Sequence, residues 1–214
     1  TTDLDFSNGP NKFNRSLPRN EQIEKYTINR THSWFSIRLF FFNPAMYSEI
    51  KRDKPDIIHT IGLRSFQSIA AWLVSKKYNI PLISTDQGGL TTHPFLNETG
   101  FLFKIIFKIQ DLYIKKIIKH SAMMCAANEY ERDIFLDIYK NAKVKIVRNG
   151  VDLKSLVSNV NFKLKYDIDS NFVLFVGRFS KSKGIENLIN AVKKIKDELD
   201  KSNTQLVIMG VDFG

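Results

Sequence analysis

Cysteine is almost missing from this sequence. Cys125 stands alone among 214 residues, so no intramolecular disulfide can form and no multi-cysteine zinc set can be assembled. It lies in the apolar run Ala122-Met123-Met124-Cys125-Ala126-Ala127, which predicts a buried structural thiol rather than a nucleophile and a reducing, cytosolic setting. Long apolar runs are lacking as well. The most apolar stretch, Phe101 to Ile118, is broken by lysines and an aspartate and falls short of the roughly 18 uninterrupted residues of a spanning helix, so no crossing of a membrane is expected. There is no clustered His/Cys ligand set, and no metal is expected. No Gly-x-Gly-x-x-Gly occurs, which ranks a nicotinamide oxidoreductase low. Without a helix-turn-helix, zinc-finger, RRM or KH signature, nucleic acid is not an expected partner. Asn14-Arg15-Ser16, Asn29-Arg30-Thr31 and Asn97-Glu98-Thr99 match the glycosylation pattern, but no signal peptide precedes them and they read as chance matches.

What is present is an ordinary globular composition, with 43% hydrophobic and 25% charged residues, enough for one large domain or one domain and part of another. Basic residues outnumber acidic ones 32 to 22, a net charge of +10, which points to an anionic partner: nucleic acid, acidic lipid head groups or a phosphorylated substrate. Charge alone does not choose among them.

Strands and helices are expected to alternate. A polar lead, Phe6 to Asn20, reads as a loop and Lys25 to Arg30 as a short strand. Pro44 opens a helix through Arg52, Ile57 to Thr60 is a buried strand, and Ser65 to Lys77 a helix. Ile80 to Thr85 is a strand ending in a Gly-Gly loop. Phe101 to Lys119 is a long helix, Met123 to Ala127 a strand, Glu129 to Tyr139 a helix and Val144 to Val147 a strand. After the polar interval Asp152 to Ser170 come the strand Phe172 to Val176, the helix Ile185 to Leu199 and the strand Gln205 to Met209. This alternation predicts the α/β class, with parallel sheets covered on both faces. Both ends read as cut: Thr1-Thr2-Asp3 resembles the end of a strand, and Gly214 stops just past one.

The segment Phe175-Val176-Gly177-Arg178-Phe179-Ser180-Lys181-Ser182-Lys183-Gly184-Ile185 is a strand, a glycine, a basic loop and a helix start. Loop amides and a helix N-terminus beyond a strand's carboxyl end favour anions, and Arg178 and Lys183 add charge-assisted donors. A phosphate site and a solvated basic turn both fit these residues alone.

Gly177-Arg178 with Lys183-Gly184, then Leu188-Ile189-Asn190-Ala191 and Leu206-Val207-Ile208-Met209-Gly210, is similar to the donor-binding start of the second domain in family 4 glycosyltransferases. Pro55-Asp56-Ile57-Ile58-His59 with Gly62, Ile80-Pro81-Leu82-Ile83-Ser84, Asn128-Glu129, and Val147-Arg148-Asn149-Gly150-Val151-Asp152 follow the family's order, so the resemblance spans nearly the whole chain. It implies a GT-B fold: residues 1–152 as an incomplete, acceptor-side Rossmann-like domain, 153–170 as a link, and 171–214 as the beginning of a nucleotide-sugar-binding domain. It implies transfer of a sugar from a UDP- or GDP-sugar to a glycan or lipid-linked acceptor, with retention and no cofactor. Arg178, Lys183 and Gly177 would hold the donor diphosphate and stabilise its departure. The piece alone is expected to be inactive, because the acceptor loop would precede Thr1 and the carboxylate-bearing donor motif would follow Gly214.

The resemblance also has a departure. In Thr85-Asp86-Gln87-Gly88-Gly89-Leu90 the family commonly carries a histidine where Gln87 stands. An amide hydrogen-bonds a sugar but exchanges no proton near neutral pH, which puts the histidine's acid/base role in doubt. Gln87, Gly88 and Gly89 are expected to line the cleft, with a plain strand-to-loop turn as the alternative. His93 is a substitute for the histidine or an ordinary loop residue. His59 is more readily a hydrogen-bonded structural residue than a ligand. Arg64 either meets an anionic acceptor or is an exposed helix-start arginine. Glu129 either lines the cleft or is a carboxylate favoured by the helix dipole. Asn149-Gly150 is a tight turn or a loop passing near the donor. The helix Phe101 to Lys119, with Lys104, Lys108, Lys115, Lys116 and Lys119 around apolar residues, either lies on an anionic membrane on the cytoplasmic face or packs on the core with a solvated lysine face. Beside the transferase stand two other readings: a nucleotide-sugar epimerase on a related fold, and a non-catalytic membrane-surface or binding module. Retained donor binding separates the enzymes from the latter.

Overall fold

The computed structural model describes residues 1–3, 13–37, 40–90, 101–153, 161–179 and 183–211, the side chains of 37, 102 and 103 excepted. The chain divides into two units, Thr1–Asn149 and Gly150–Gly214.

The first unit is organised by four parallel strands in the order β5-β6-β7-β8: β5 (Ile58–Ile61), β6 (Leu82–Thr85), β7 (Met123–Ala126) and β8 (Val144–Ile146). Three helices return the chain between them, α2 (Phe66–Tyr78), α3 (Phe101–His120) and α4 (Glu129–Ile138). Ser65 starts α2 by accepting from the Ser68 amide, and left-handed Asn79 ends it, the capping chemistry expected of those residue types. The core forms where the helices' apolar stripes meet the sheet: Val74, Leu82, Ile114, Ile117, Ile118, Met124 and Phe135 are all almost wholly buried. Ahead of the sheet lie α1 (Ala45–Asp53) and two antiparallel hairpins, β1 (Asn20–Ile23) with β2 (Tyr26–Asn29), and β3 (Phe35–Ile37) with β4 (Phe40–Phe42).

Several sequence expectations need correction. The first hairpin was missed because its turn puts Glu24 in the left-handed region (φ 49°), where Asn or Gly is the usual signal. The second was missed because its phenylalanines gather on Phe66 of α2, with the Phe42 ring 4.8 Å away, rather than alternating. The loop reading of Phe6 to Asn20 falls partly outside the described residues; within them, Asn20 already belongs to β1. Cys125 is only partly buried, because it sits on the opposite face of β7 from Met124 and Ala126. The helix expected from Ile185 to Leu199 is two helices, α6 (Ile185–Lys194) and α7 (Lys196–Lys201), broken where Ile195 leaves helical geometry. The interval 153–170 holds a short helix, α5 (Phe162–Lys165), capped by Asn161.

In the second unit β9 (Asn171–Val176) pairs in parallel with β10 (Thr204–Met209) through α6 and α7. The pairing continues past both strands, with the Gly177 amide on the Met209 carbonyl at 3.0 Å and the Phe179 amide on the Val211 carbonyl at 3.0 Å. A Cβ at Gly210 would stand 1.8 Å from the Gly177 carbonyl oxygen, a clash with backbone that no side-chain rotation relieves. Gly210→Ala is therefore expected to destabilise this unit by about 3 kcal/mol, seen as a lower urea midpoint by circular dichroism; an unchanged midpoint would refute the close approach.

Candidate active site

The carboxyl ends of parallel strands are where open α/β sheets take ligands. At that edge of the first unit, two buried carboxylates tie together the loops after three strands. Asp86, which directly follows β6, is 2% exposed; one oxygen accepts from the Leu63 amide at 3.1 Å and the other from the Leu90 amide at 2.6 Å. Glu131, in the first turn of α4, accepts from the Gly88 amide at 3.3 Å and from the Ala127 amide at 2.6 Å. Its own amide is bound by Asn128 at 2.9 Å. Burial pushes the Asp86 carboxyl above its ordinary value; the two amides pull it down, nearby Glu131 pushes it up, and Arg64 pulls it down.

Between these anchors the backbone is forced into an unusual path. Gln87 and Gly88 are both left-handed, at φ 54° and 87°, so the loop turns sharply and leaves the Gln87 side chain exposed. A Cβ on Gly89 would lie 2.8 Å from an Asp86 carboxylate oxygen. That oxygen is the one that accepts from Leu63, so the absence of a side chain at Gly89 is what lets Asp86 hold Leu63.

Arg64 is not an exposed helix-start arginine. Its side chain is 9% exposed and paired to Asp111 at 2.9 Å, donates to the Gly89 carbonyl at 3.2 Å and to Gln110 at 3.0 Å, and lies over the Phe107 ring. Arg64 thus braces the loop from the other side. Glu129 begins α4 at the same edge, but its carboxylate points to Arg148, 2.8 Å away. His59 bonds Thr85 at 2.8 Å across β5 and β6. Asn149, exposed, closes the first unit. His93 lies outside the described residues. The structure therefore brings Arg64, Gly88 and Gly89 together and gives Glu129 a surface ion pair. Asp86 and Glu131 are the residues that sequence reasoning missed. The signal for Glu131 was available: Asn128 with a glutamate three positions on has capping-box spacing.

Gly177, Arg178 and Lys183 belong to the second unit. Gly177 and Arg178 follow the carboxyl end of β9, and Lys183 precedes α6, whose N-cap Gly184 (φ 67°) supplies no side-chain cap. Arg178 and Lys183 are exposed; residues 180–182 between them lie outside the described set. Two Asp-x-Asp spacings occur, Asp3-Leu4-Asp5 and Asp167-Ile168-Asp169, yet among the described residues no three acidic, histidine or cysteine side chains gather as metal ligands.

The family model Glycosyltransferase Family 4 matches residues 8–155. The chain belongs to glycosyltransferase family 4. A second model, Glycosyl transferases group 1, matches residues 158–213 of this family 4 chain, the segment that carries Arg178 and Lys183. Over 76 residues the chain is 40% identical to an uncharacterized glycosyltransferase of Methanocaldococcus jannaschii, covering 32% of this chain and 19% of that protein. Over 158 residues it is 29% identical to a 41.2 kDa protein of the Klebsiella pneumoniae cps region, covering 67% of this chain and 40% of that protein. Among solved structures it resembles the sucrose-phosphate synthase of Thermosynechococcus elongatus, with a TM-score of 0.65 at 16% identity over 92% of this chain and 50% of that one. It also resembles HepE of Anabaena in complex with UDP-glucose, with a TM-score of 0.56 at 12% identity over 85% of this chain and 55% of that one. These likenesses establish the α/β class and GT-B type. The family 4 chain spans about half, or less, of the length of each.

Proposed function

We propose that this chain is part of a retaining glycosyltransferase that moves a sugar from a UDP- or GDP-sugar to a glycan or lipid-linked acceptor. The observation that carries the reading is the placement of Gly177-Arg178 at the carboxyl end of β9 and Lys183-Gly184 at the start of α6. The backbone there is held by the Gly177 to Met209 bond, with Arg178 just past the end of β9 and Lys183 just ahead of the first amides of α6. That is a cradle for a diphosphate. As the glycosidic bond breaks, negative charge accumulates on the departing diphosphate, and cations already in place lower the barrier. In this reading residues 171–214 begin the donor domain and residues 1–152 form the acceptor side. Gln87 presents an amide to a sugar hydroxyl, while Gly88 and Gly89 let the backbone turn beneath it.

The acceptor side also carries a membrane-facing candidate. Along α3, Phe101, Ile105, Ile109 and Leu112 are exposed at helical spacing, flanked by exposed Lys104, Lys108, Lys115, Lys116 and Lys119. Among the described residues no helix is long and apolar enough to cross a membrane. An apolar stripe bordered by lysines suits the surface of an anionic bilayer, which for this chain would be the inner face of the cell membrane. Co-sedimentation with phosphatidylglycerol vesicles is expected for the wild type and lost in Ile109→Glu/Leu112→Glu; equal sedimentation of the two would remove the membrane from the proposal.

The main reading is tested on the product of the complete open reading frame, assayed for hydrolysis and transfer with a panel of UDP-, GDP- and ADP-sugars. Donor-dependent turnover is expected. Folded protein that neither turns over nor binds any nucleotide would leave a binding module as the better account.

A further inference from the structure

The first unit has a second concave surface that the sugar-transfer reading leaves unused. It is a cavity of about 250 Å³ whose wall includes Arg15, Arg19, Arg30, Thr31, His32 and Asp3. Sites that enclose a whole small molecule run to roughly 300–1,000 Å³, so this one suits a charged head group with the rest of its molecule outside.

The wall is internally organised. Arg30, its side chain 16% exposed, pairs with Glu21 at 2.7 Å and donates to the Pro18 carbonyl at 3.0 Å, which fixes it in place. Among the described residues Asp3 is the one carboxylate on the wall, and it is already occupied by the Ser33 amide at 3.1 Å and by His32 Nδ1. Arg15 lies 3.1 Å from His32 Nε2. A guanidinium can only donate, so in this contact Nε2 accepts and Nδ1 faces Asp3 as the donor. One guanidinium N–H of Arg15 is spent in this way. Arg19 has no acidic partner among the described residues. The surplus positive charge of the cavity therefore rests on Arg15 and Arg19, with Arg30 behind them.

Its position also fits a substrate. Asn43, just ahead of α1, donates to the Thr31 carbonyl at 3.1 Å and to its hydroxyl at 2.7 Å. Neighbouring Phe42 packs on Phe66, at the start of α2, and α2 begins where β5 ends. Thr31 is thus linked through Asn43 and Phe42 to the start of α2, which follows the carboxyl end of β5.

We propose that this cavity receives a phosphoryl group carried by the acceptor, an inference that rests on the sugar-transfer reading. The guanidinia of Arg15 and Arg19 can each engage a different oxygen of a phosphoryl group, whereas a carboxylate offers two oxygens in one plane. Arg64, the sequence candidate for an anionic acceptor, is consumed by Asp111 and the Gly89 carbonyl, so the role passes to these arginines.

The test uses the 214-residue chain carrying Arg178→Ala/Lys183→Ala, so that the candidate donor pair is silent. Calorimetric titration with inorganic pyrophosphate is expected to show binding that weakens about tenfold on adding Arg19→Gln and again on adding Arg15→Gln. A second measurement needs no variant. Pyrophosphate is expected to shield Arg15 and Arg19 of the wild-type chain from phenylglyoxal, read by mass spectrometry of the peptides. Competition by glucose 6-phosphate would point to a soluble sugar phosphate, and competition by farnesyl diphosphate in detergent micelles to a lipid-linked diphosphate. No binding in the silenced background, binding indifferent to Arg15 and Arg19, or competition by neither compound would overturn the proposal. Nucleotide-sugar turnover by the complete enzyme is read separately, so failure of the cavity and failure of the transferase reading are distinguishable.

Discussion

Arg178→Ala in the complete enzyme is expected to lower kcat/KM for the nucleotide-sugar about 100-fold. Lys183→Ala should cost about tenfold or more, and the double substitution should leave no turnover above background. The expectation follows from removing a preorganised donor from a developing anion, worth about 2.7 kcal/mol or more, with each 1.4 kcal/mol a factor of ten. Arg178→Lys separates charge from shape: it keeps the cation and loses the planar two-pronged grip, so it should fall between wild type and alanine. Steady-state kinetics with the donor identified from the panel provides the check. Unchanged kcat/KM in both alanine variants would remove the diphosphate cradle while leaving the transferase reading standing.

Asp86→Ala is expected to be the most damaging single change at the edge of the first sheet, at about 2 to 5 kcal/mol, because it leaves the Leu63 and Leu90 amides without their acceptor. Glu131→Ala should follow closely for the same reason at Gly88 and Ala127. Asp86→Asn is the more informative variant. Its amide can accept from one of the two N–H groups but presents its own donors to the other, so it should cost about 1 to 3 kcal/mol at pH 7. The pH dependence has a definite sign. Burial raises the folded pKa of Asp86 above its unfolded value, so between the two values the folded state holds more protons. The group's contribution is then fully favourable below the unfolded pKa and is lost as pH rises through the folded one. Wild type gains from this group as pH falls through the raised folded pKa, and Asp86→Asn does not, so the gap between their urea midpoints should widen as pH is lowered from neutrality. A constant gap would show that burial does not raise the carboxyl.

The parallel sheet was legible because each of its strands is a short apolar run set between capped or amphipathic helices. Ser65 and Asn128 announced the starts of α2 and α4. The strand end at Gly177-Arg178 and the helix start at Lys183-Gly184 were legible for the same local reason: a strand, a glycine and a helix start lie within a few residues. Tertiary pairing was harder to see. Nothing in Glu24-Lys25 signals a hairpin turn, and the reach of Asp86 to Leu63 spans 23 positions in sequence, where periodicity carries no information. Arg64 was misjudged for a related reason. Its partners Gln110 and Asp111 stand 46 and 47 positions away, in the middle of α3, and only folding brings them to it.

The turn at Gln87 separates two burdens that a single residue often carries at once. Asp86, Glu131 and Arg64 hold the loop through its amides and one carbonyl, and Gly88 and Gly89 make room for them, so the frame owes nothing to the Gln87 side chain. The left-handed backbone there is one that histidine and asparagine also tolerate better than most residues. Gln87 is thus an interchangeable fitting on a fixed mount: an amide can be exchanged for an imidazole at this position without redrawing the loop that presents it.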